Sequence, residues 1–356
     1  MAGDSYAAAM PELDMNRLHA LVRAAAKNEE DIETEAMPGG ASTRKYFRVS
    51  CGNRSMVAMF VPEGGKPEEI GKHQGQARWP FLEVHELLTA HGVDVPRVLG
   101  EDTEHGWLLL EDLGDDTLAN YLLREPGQKR ACYTRAVTDL AKAQKVLDPL
   151  PDGSIVKTRA FDEDLLRWEI DHFREWGLEA RGHKLEAEDR ATFDAIAGRL
   201  AKRIASWPRG FVHRDYQSRN LMVRESGALV WIDFQDALLG PRIYDMVALL
   251  NDSYQEFDRA FVEERLSEYA KASKMTKAES SRLGVEFDLM TVQRKLKDAG
   301  RFVFIDKKKN NPSFRRFVVP TIRKVALSLE RLHDIDEDMR ALETLLRKLL
   351  PDEMRG

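Results

Sequence analysis

Between Phe211 and Phe234 the chain reads Phe211-Val212-His213-Arg214-Asp215-Tyr216-Gln217-Ser218-Arg219-Asn220-Leu221-Met222-Val223, turns at Glu225-Ser226-Gly227, and resumes as Leu229-Val230-Trp231-Ile232-Asp233-Phe234. The pattern is H-R-D-x-x-x-x-N followed, across a hairpin, by an Asp-Phe pair, the order that phosphoryl transfer to a hydroxyl uses. Such a reaction asks little covalent work of a protein, but nucleophile, phosphates and metal must be placed together. Asp215 sits where a loop can offer its carboxylate to an incoming hydroxyl as base. Asn220 returns from the loop with a neutral oxygen, and Asp233 brings a hard anionic one. Mg²⁺ prefers such oxygens alongside those of phosphates. Each element alone is weak; their order and their flanking strands make the combination specific.

Competing readings of the reactive residues do not hold up. His213 fits a loop brace better than a general base. His85-Glu86-Leu87-Leu88-Thr89 has Thr89 where a zinc motif needs its second His. Cys51 and Cys132 lie far from the island, have no CxxC partner and are expected to be inert. No G-x-x-x-x-G-K-[ST] occurs, so the phosphates are not cradled by a P-loop.

The elements that must hold this island change character along the chain. After a frayed start, Asn16 to Lys27 reads as a helix. A turn cluster follows at Pro38-Gly39-Gly40, then two strands, Lys45 to Ser50 and Ser55 to Val61, joined at Cys51-Gly52-Asn53-Arg54. Glu63 to Gln76 reads as a loop, and Arg78 to His91 as a helix stopped by Gly92. Strands are expected at Arg97 to Gly100 and Trp107 to Leu110. Beyond Asp116 helical stripes dominate: Ala136, Leu140, Ala143 and Leu147; Val262, Leu266 and Tyr269; Leu289, Val292, Leu296 and Val303; Leu342, Leu345, Leu346 and Leu349. The expected architecture is α+β and bilobal. A small β-rich, nucleotide-binding lobe covers residues 15–115, a hinge lies near 110–116, and a helical lobe with the catalytic loop covers 117–350.

Bulk properties exclude other classes. The chain has 356 residues, 43% of them hydrophobic and 32% charged, which fits an ordinary globular protein rather than a disordered one. Its net charge of −6, with both signs interspersed, provides no basic face for nucleic acid. The densest basic run, Lys307-Lys308-Lys309, is expected to be a solvated loop. Two cysteines make no disulfide framework, and neither a signal peptide nor a run of ~20 apolar residues is visible. A cytoplasmic monomer that binds neither membrane nor nucleic acid is the expectation.

At these residues the chain resembles the aminoglycoside phosphotransferase-like branch of the kinase superfamily, over residues 15 to 335. Protein kinases fit worse, because Asp233-Phe234-Gln235 reaches Pro241-Arg242-Ile243-Tyr244-Asp245 too soon to leave room for an activation segment. Within the branch it is most similar to the N-acetylmuramate/N-acetylglucosamine anomeric kinases of cell-wall sugar recycling. Ala41 to Val49, Leu108 to Gly114, Leu165 to Trp176 and, above all, Ile232-Asp233-Phe234-Gln235-Asp236-Ala237-Leu238-Leu239-Gly240-Pro241 followed by Tyr244-Asp245 carry that match.

The resemblance implies ATP- and Mg²⁺-dependent phosphorylation of the C1 hydroxyl of an amino sugar. It places the nucleotide under the Gly39 to Lys45 loop, with Ser42, Thr43, Arg44 and Lys45 as candidates. Adenine is implied to lie against the hinge backbone around Glu111 and Leu113. Asp245 is implied to fix the catalytic loop. Gln235, Asp236, Arg219 and Glu169 are the sugar candidates, with Glu169 expected on an exposed helix face. One departure stands out: Val57-Ala58-Met59-Phe60-Val61-Pro62 lacks the Lys that kinases send from this strand to the phosphates, leaving Arg44 or Lys45 as substitutes. An aminoglycoside or other small-molecule kinase, and a nucleotide-binding pseudokinase, are the alternative readings.

Overall fold

The computed structural model describes residues 13–28, 30–38, 43–62, 78–252 and 255–355. The expected turn at Gly39-Gly40, the candidate Ser42 and the loop expected over 63–76 lie outside these residues. The fold is kinase-like and bilobal, with two compact units. One comprises the described residues up to Asp116 together with Met222–Asp236; the other comprises Thr117–Leu221 and those from Ala237 onward.

The smaller unit is built on a five-stranded antiparallel sheet. Its order is β1 (Ile32–Ala36), β2 (Lys45–Cys51), β3 (Arg54–Phe60), β5 (Trp107–Glu111), β4 (Val98–Asp102). The β2–β3 register pairs Cys51 with Arg54, and the tight turn is possible because Gly52 takes φ of 58°. Helix α1 (Met15–Ala26) starts where the Asp14 carboxylate accepts the N–H groups of Asn16 and Arg17. Its Leu18, Val22 and Ala26 form one stripe that packs with Val49, Ala58, Phe60, Trp107 and Leu109 into the unit's core. Cys51 is buried in the same core, out of reach of solvent. Helix α2 (Pro80–Ala90) follows the sheet's first three strands in the chain.

The hairpin of β7 (Leu221–Val223) and β8 (Leu229–Trp231) carries the chain to Asp233. Sequence reasoning assigned this hairpin to the helical lobe, yet from Met222 on it groups with the smaller unit. The causes are specific. Arg224 Nη1 donates to Glu111 Oε1 at 2.8 Å, Trp231 N–H donates to Asp94 O at 2.9 Å, and the Phe234 ring lies 4.8 Å from that of Phe81.

The larger unit is helical. It contains α3 (Leu118–Arg124), α4 (Lys129–Val146), α5 (Ile155–Thr158), α6 (Glu163–His172) and α7 (Ala187–Ala205) before the catalytic loop. After it come α8 (Tyr244–Leu250), α9 (Arg259–Ala272), α10 (Lys277–Lys309), α11 (Val318–Leu332) and α12 (Glu337–Leu349). A short ribbon pairs β6 (Arg209–Val212) with β9 (Leu238–Pro241), so that Val212, which leads into the loop, sits opposite Leu238.

Helix α10 dominates this unit with 33 residues, opened by a Thr276–Glu279 capping box and closed by Asn310 at φ of 50°. Lys307, Lys308 and Lys309 are therefore its last turn and not a loop; three cations there complement the helix dipole. Lys307 also donates to Ala180 O, and Lys308 lies over the Trp176 ring. At Gly300 an added Cβ would stand 2.7 Å from His172 O and 2.9 Å from Phe173 Cα, so α10 presses backbone to backbone on the end of α6. Leu289, Val292, Leu296 and Val303 are buried as their spacing requires, but so are Gln293, Arg294 and Lys295 between them.

Candidate active site

In the larger unit the catalytic loop is held from below. Arg214 adopts φ of 79°, a left-handed conformation that a non-glycine residue keeps only when its surroundings impose it. Asp245, at the first turn of α8, accepts the N–H of His213 at 2.6 Å and of Arg214 at 2.9 Å, one per oxygen. Burial pushes this carboxyl up to about 7, while the two N–H donors and Arg294 oppose the rise. The loop-fixing role implied for Asp245 agrees with this geometry. Replacing Asp245 by Asn sets an NH₂ against one of the two N–H groups. The expected result is a destabilisation of ~1–3 kcal/mol, read from a urea midpoint, together with a loss of turnover.

His213 is buried, with its ring edge-on to Tyr216 at 5.7 Å, which suits a brace and not a proton acceptor for substrate. Tyr216 donates to Ala136 O, and Ser218 donates through both N–H and Oγ to buried Asp252. Asp215, by contrast, keeps 38% of its side chain exposed. Its Oδ1 receives Arg294 Nη2 at 3.4 Å, while Arg294 Nη1 donates to Arg214 O at 2.8 Å. Burial works to raise the Asp215 carboxyl, but Arg294, Lys297, Arg214 and His213 outweigh it and hold the group below the usual carboxylate range. Asp215 is thus ionised, anchored through one oxygen and able to accept through the other.

Asn220 donates Nδ2 to Asp215 O at 2.8 Å. That bond fixes the amide's orientation and leaves Oδ1 as an outward acceptor, the atom a hard cation needs. Arg219, a sugar candidate, is exposed on the same short turn. Glu169 is corrected: it is completely buried and not on an exposed face. It receives Gln293 Nε2 at 2.9 Å and Arg214 Nη2 at 3.5 Å, supporting the loop from α6.

In the smaller unit Asp233 takes φ of 62° and keeps 42% of its side chain exposed. Its Oδ1 accepts Gln235 Nε2 at 2.9 Å and Arg44 Nη1 at 3.3 Å. Gln235 also donates to Asp236 Oδ2 at 3.1 Å, so this buried amide bridges two carboxylates and acts first as their spacer. Asp236 Oδ1 is buried without a partner and is the acceptor this segment has to offer. Arg44 further interacts with Tyr46 and Asp236, whereas Thr43 and Lys45 are exposed. Of the two substitutes for the missing strand lysine, Arg44 is the one brought to Asp233. Tyr46, half-buried in this cluster, lies on the strand expected over Lys45 to Ser50 and was not among the candidate site residues.

The hinge is braced on both sides. Arg48 binds Asp112 at 2.9 Å and Asp115 at 2.8 Å, and Ser55 Oγ donates to Asp112. The Glu111 N–H is spent on Arg97 O and its carboxylate on Arg224. The described residues contain no group of three or more His, Cys, Asp or Glu placed to hold a metal. Asp233 in the smaller unit and Asn220 in the larger one each present a hard oxygen donor of the kind Mg²⁺ takes alongside phosphates and water. The residues missed by sequence reasoning are Arg294, Lys297 and Gln293 on α10; for the two cations the signal was a run of charges inside a helix.

Residues 33–279 match the model of the phosphotransferase enzyme family. An N-acetylmuramate/N-acetylglucosamine kinase of Pseudomonas aeruginosa is 36% identical over 304 residues, 83% of this chain and 84% of that protein. Its counterpart from Neisseria meningitidis serogroup B is 30% identical over 91% of this chain and 93% of that protein. Among solved structures, the streptomycin–ATP–APH(2")-IIa ternary complex shares the fold, with a TM-score of 0.55 at 14% identity, covering 93% of this chain and 99% of that one. The loop that presents Asp215, the hairpin that presents Asp233 and this extent of similarity agree: the chain belongs to the phosphotransferase enzyme family, in the group of N-acetylmuramate/N-acetylglucosamine kinases.

Proposed function

We propose that this kinase transfers the γ-phosphoryl group of ATP to the C1 hydroxyl of N-acetylmuramate or N-acetylglucosamine, giving a sugar 1-phosphate in the cytoplasmic recycling of cell-wall sugars. The observation that carries the reading is Asp215: ionised, accessible, and tied through a single oxygen to Arg294. A carboxylate of low proton affinity is a weak base, and a hemiacetal hydroxyl is a more acidic partner for it than an ordinary alcohol. The transition state is loose, so orienting that hydroxyl counts for more than removing its proton early. Asp215 Oδ2 orients the hydroxyl and takes the proton as the O–P bond forms.

Asn220 Oδ1 in the larger unit and Asp233 in the smaller one would each offer an oxygen to Mg²⁺, which when bound would supply charge neutralisation for the phosphates. Arg44 provides the phosphate cation in place of the absent strand lysine, and the smaller unit binds the nucleotide, with adenine against Leu113. Support for ATP comes from the fold neighbour whose ternary complex contains it. Asp236 Oδ1 and Arg219 are offered to the sugar; Gln235 and Glu169 position the groups that touch it. The protein acts as a monomer. No helix among the described residues is long and apolar enough to cross a membrane. A polycationic antibiotic is the poorer acceptor, because Arg294, Lys297 and Arg214 all act on Asp215 in the same unit.

The anomeric assignment has a direct test. Methyl N-acetylglucosaminide, with C1 blocked, is expected to bind without turnover, and the product from the free sugar should show phosphorus coupling to the anomeric proton in NMR. Phosphate on C6, or turnover of the methyl glycoside, refutes the assignment.

A further inference from the structure

Helix α6 carries an aromatic stack that the mechanism above does not use. Trp168, His172 and Trp176 recur every four residues and so lie along one side of the helix. The Trp168 and His172 rings are 5.5 Å apart with 29° between their planes. His172 also stands 5.5 Å from Phe304 of α10 and 6.2 Å from Trp176, and Trp176 meets Phe304 edge-on at 5.0 Å. Trp176 belongs to a π-helical stretch, Phe173–Leu178, that continues α6, a geometry frequent at functional sites.

The stack is closed at its inner end and open at its outer one. His172 is buried among the other three rings, and its backbone is pressed on α10 at Gly300. Trp168 is 44% exposed, the one aromatic among the large apolar side chains exposed in the described residues. One face of its indole rests on His172 and the other meets solvent. The helix beneath is fixed, since Arg167 binds Asp171 at 3.0 Å and Asp194 of α7 at 3.2 Å. A lone exposed apolar side chain is ordinary, but one laid flat on a rigid aromatic support is preorganised for contact.

Its place in the fold says with what. Trp168 immediately precedes Glu169, whose carboxylate receives Arg214 Nη2 at 3.5 Å and Gln293 Nε2 at 2.9 Å. Arg214 precedes the base, and Arg294, next to Gln293, donates to Asp215 Oδ1 at 3.4 Å. Trp168 thus rises from the same α6–α10 support that holds Asp215, all within the larger unit. A gluco-configured pyranose shows on each face a patch of axial C–H groups ringed by equatorial polar groups. Such a patch lies flat on an indole, whose ring face is broad and carries negative charge density.

We propose that the indole of Trp168 is the platform on which the pyranose ring of the acceptor amino sugar stacks. This rests on the amino-sugar reading above and adds a specificity-determining residue that acts through apolar contact, whereas Gln235, Asp236, Arg219 and Glu169 are all polar. The other partners an exposed indole could take are a nucleotide base and a second copy of the chain.

The experiment compares the wild type with Trp168→Ala and Trp168→Phe. Trp168→Ala is expected to raise KM for N-acetylglucosamine about 10- to 100-fold, with KM for ATP and the urea midpoint nearly unchanged. Trp168→Phe should recover most of that loss. In NMR of the wild type, saturation of the protein's aromatic protons should pass to the ring C–H protons of the sugar, and the transfer should fall sharply in Trp168→Ala. The wild-type NMR measurement needs no variant, so absence of transfer there overturns the proposal by itself. An unchanged sugar KM in Trp168→Ala overturns it too, as does a rise in KM for ATP in place of that for the sugar, which would assign the ring to the base. A wild-type dimer that Trp168→Ala makes monomeric without altering the sugar KM would assign it to a second copy and is equally fatal. Failure of the wild type to bind or phosphorylate either amino sugar overturns the underlying reading, and is seen before any variant is compared.

Discussion

Asp215→Asn is expected to lower kcat for the sugar by about 10²–10⁴-fold, the range that general-base assistance supplies, while leaving ATP affinity nearly unchanged. The change is conservative in shape. Asn can still accept from Arg294, and the Asp215 carbonyl that receives Asn220 Nδ2 is untouched, so the loop should keep its conformation. What disappears is the ionised oxygen proposed to orient and deprotonate the hydroxyl. Nucleotide titration alongside steady-state kinetics distinguishes this from a general loss of folding. Wild-type kcat in the variant would remove Asp215 from the role of base.

Asp233→Ala and Asn220→Ala should both raise the Mg²⁺ concentration needed for half-maximal rate, and Asp233→Ala by far the more. Loss of a group that merely supports a metal ligand costs ~10- to 100-fold in affinity, and Asp233 is proposed as a ligand itself. It contributes an anionic oxygen to a hard cation, whereas Asn220 contributes a neutral one. Asp233→Ala also strips Arg44 and Gln235 of a shared partner, leaving Asp236 as the carboxylate between them. Rate measured against Mg²⁺ at fixed ATP gives the comparison. Equal and small shifts in the two variants would mean that the protein holds the metal elsewhere.

The parts of the site that sequence made legible are those where chemistry fixes spacing. Asp215, Asn220 and Asp233 are separated by a short loop and a hairpin whose lengths allow little variation. The missing strand lysine was legible for the same reason. Residues that act by burial were not. Glu169 lies on a helix whose polar face reads as exposed, and only its bonds to Arg214 and Gln293 show that the face is covered. On α10 the apolar stripe was found, but the charges between its members were not singled out, because pairing that allows them inside is invisible in one dimension. Strand β1 was missed because its Ile-Glu-Thr-Glu-Ala sequence is that of an exposed edge. Strand β9 was missed because four residues between two motifs give too short a pattern. The lysines ending α10 were misread because a charge run looks alike in a loop and in a last helical turn.

Gly300 acts on this chemistry from a distance. The absence of one methyl group lets two backbones touch, and the contact works like a notch that sets how far α10 can slide or turn along α6. Gln293 lies two helical turns before the notch and Lys297 one, so a displacement there would be carried rigidly to both. The support that Gln293 gives Glu169 under the catalytic loop is therefore set by a residue that has no side chain.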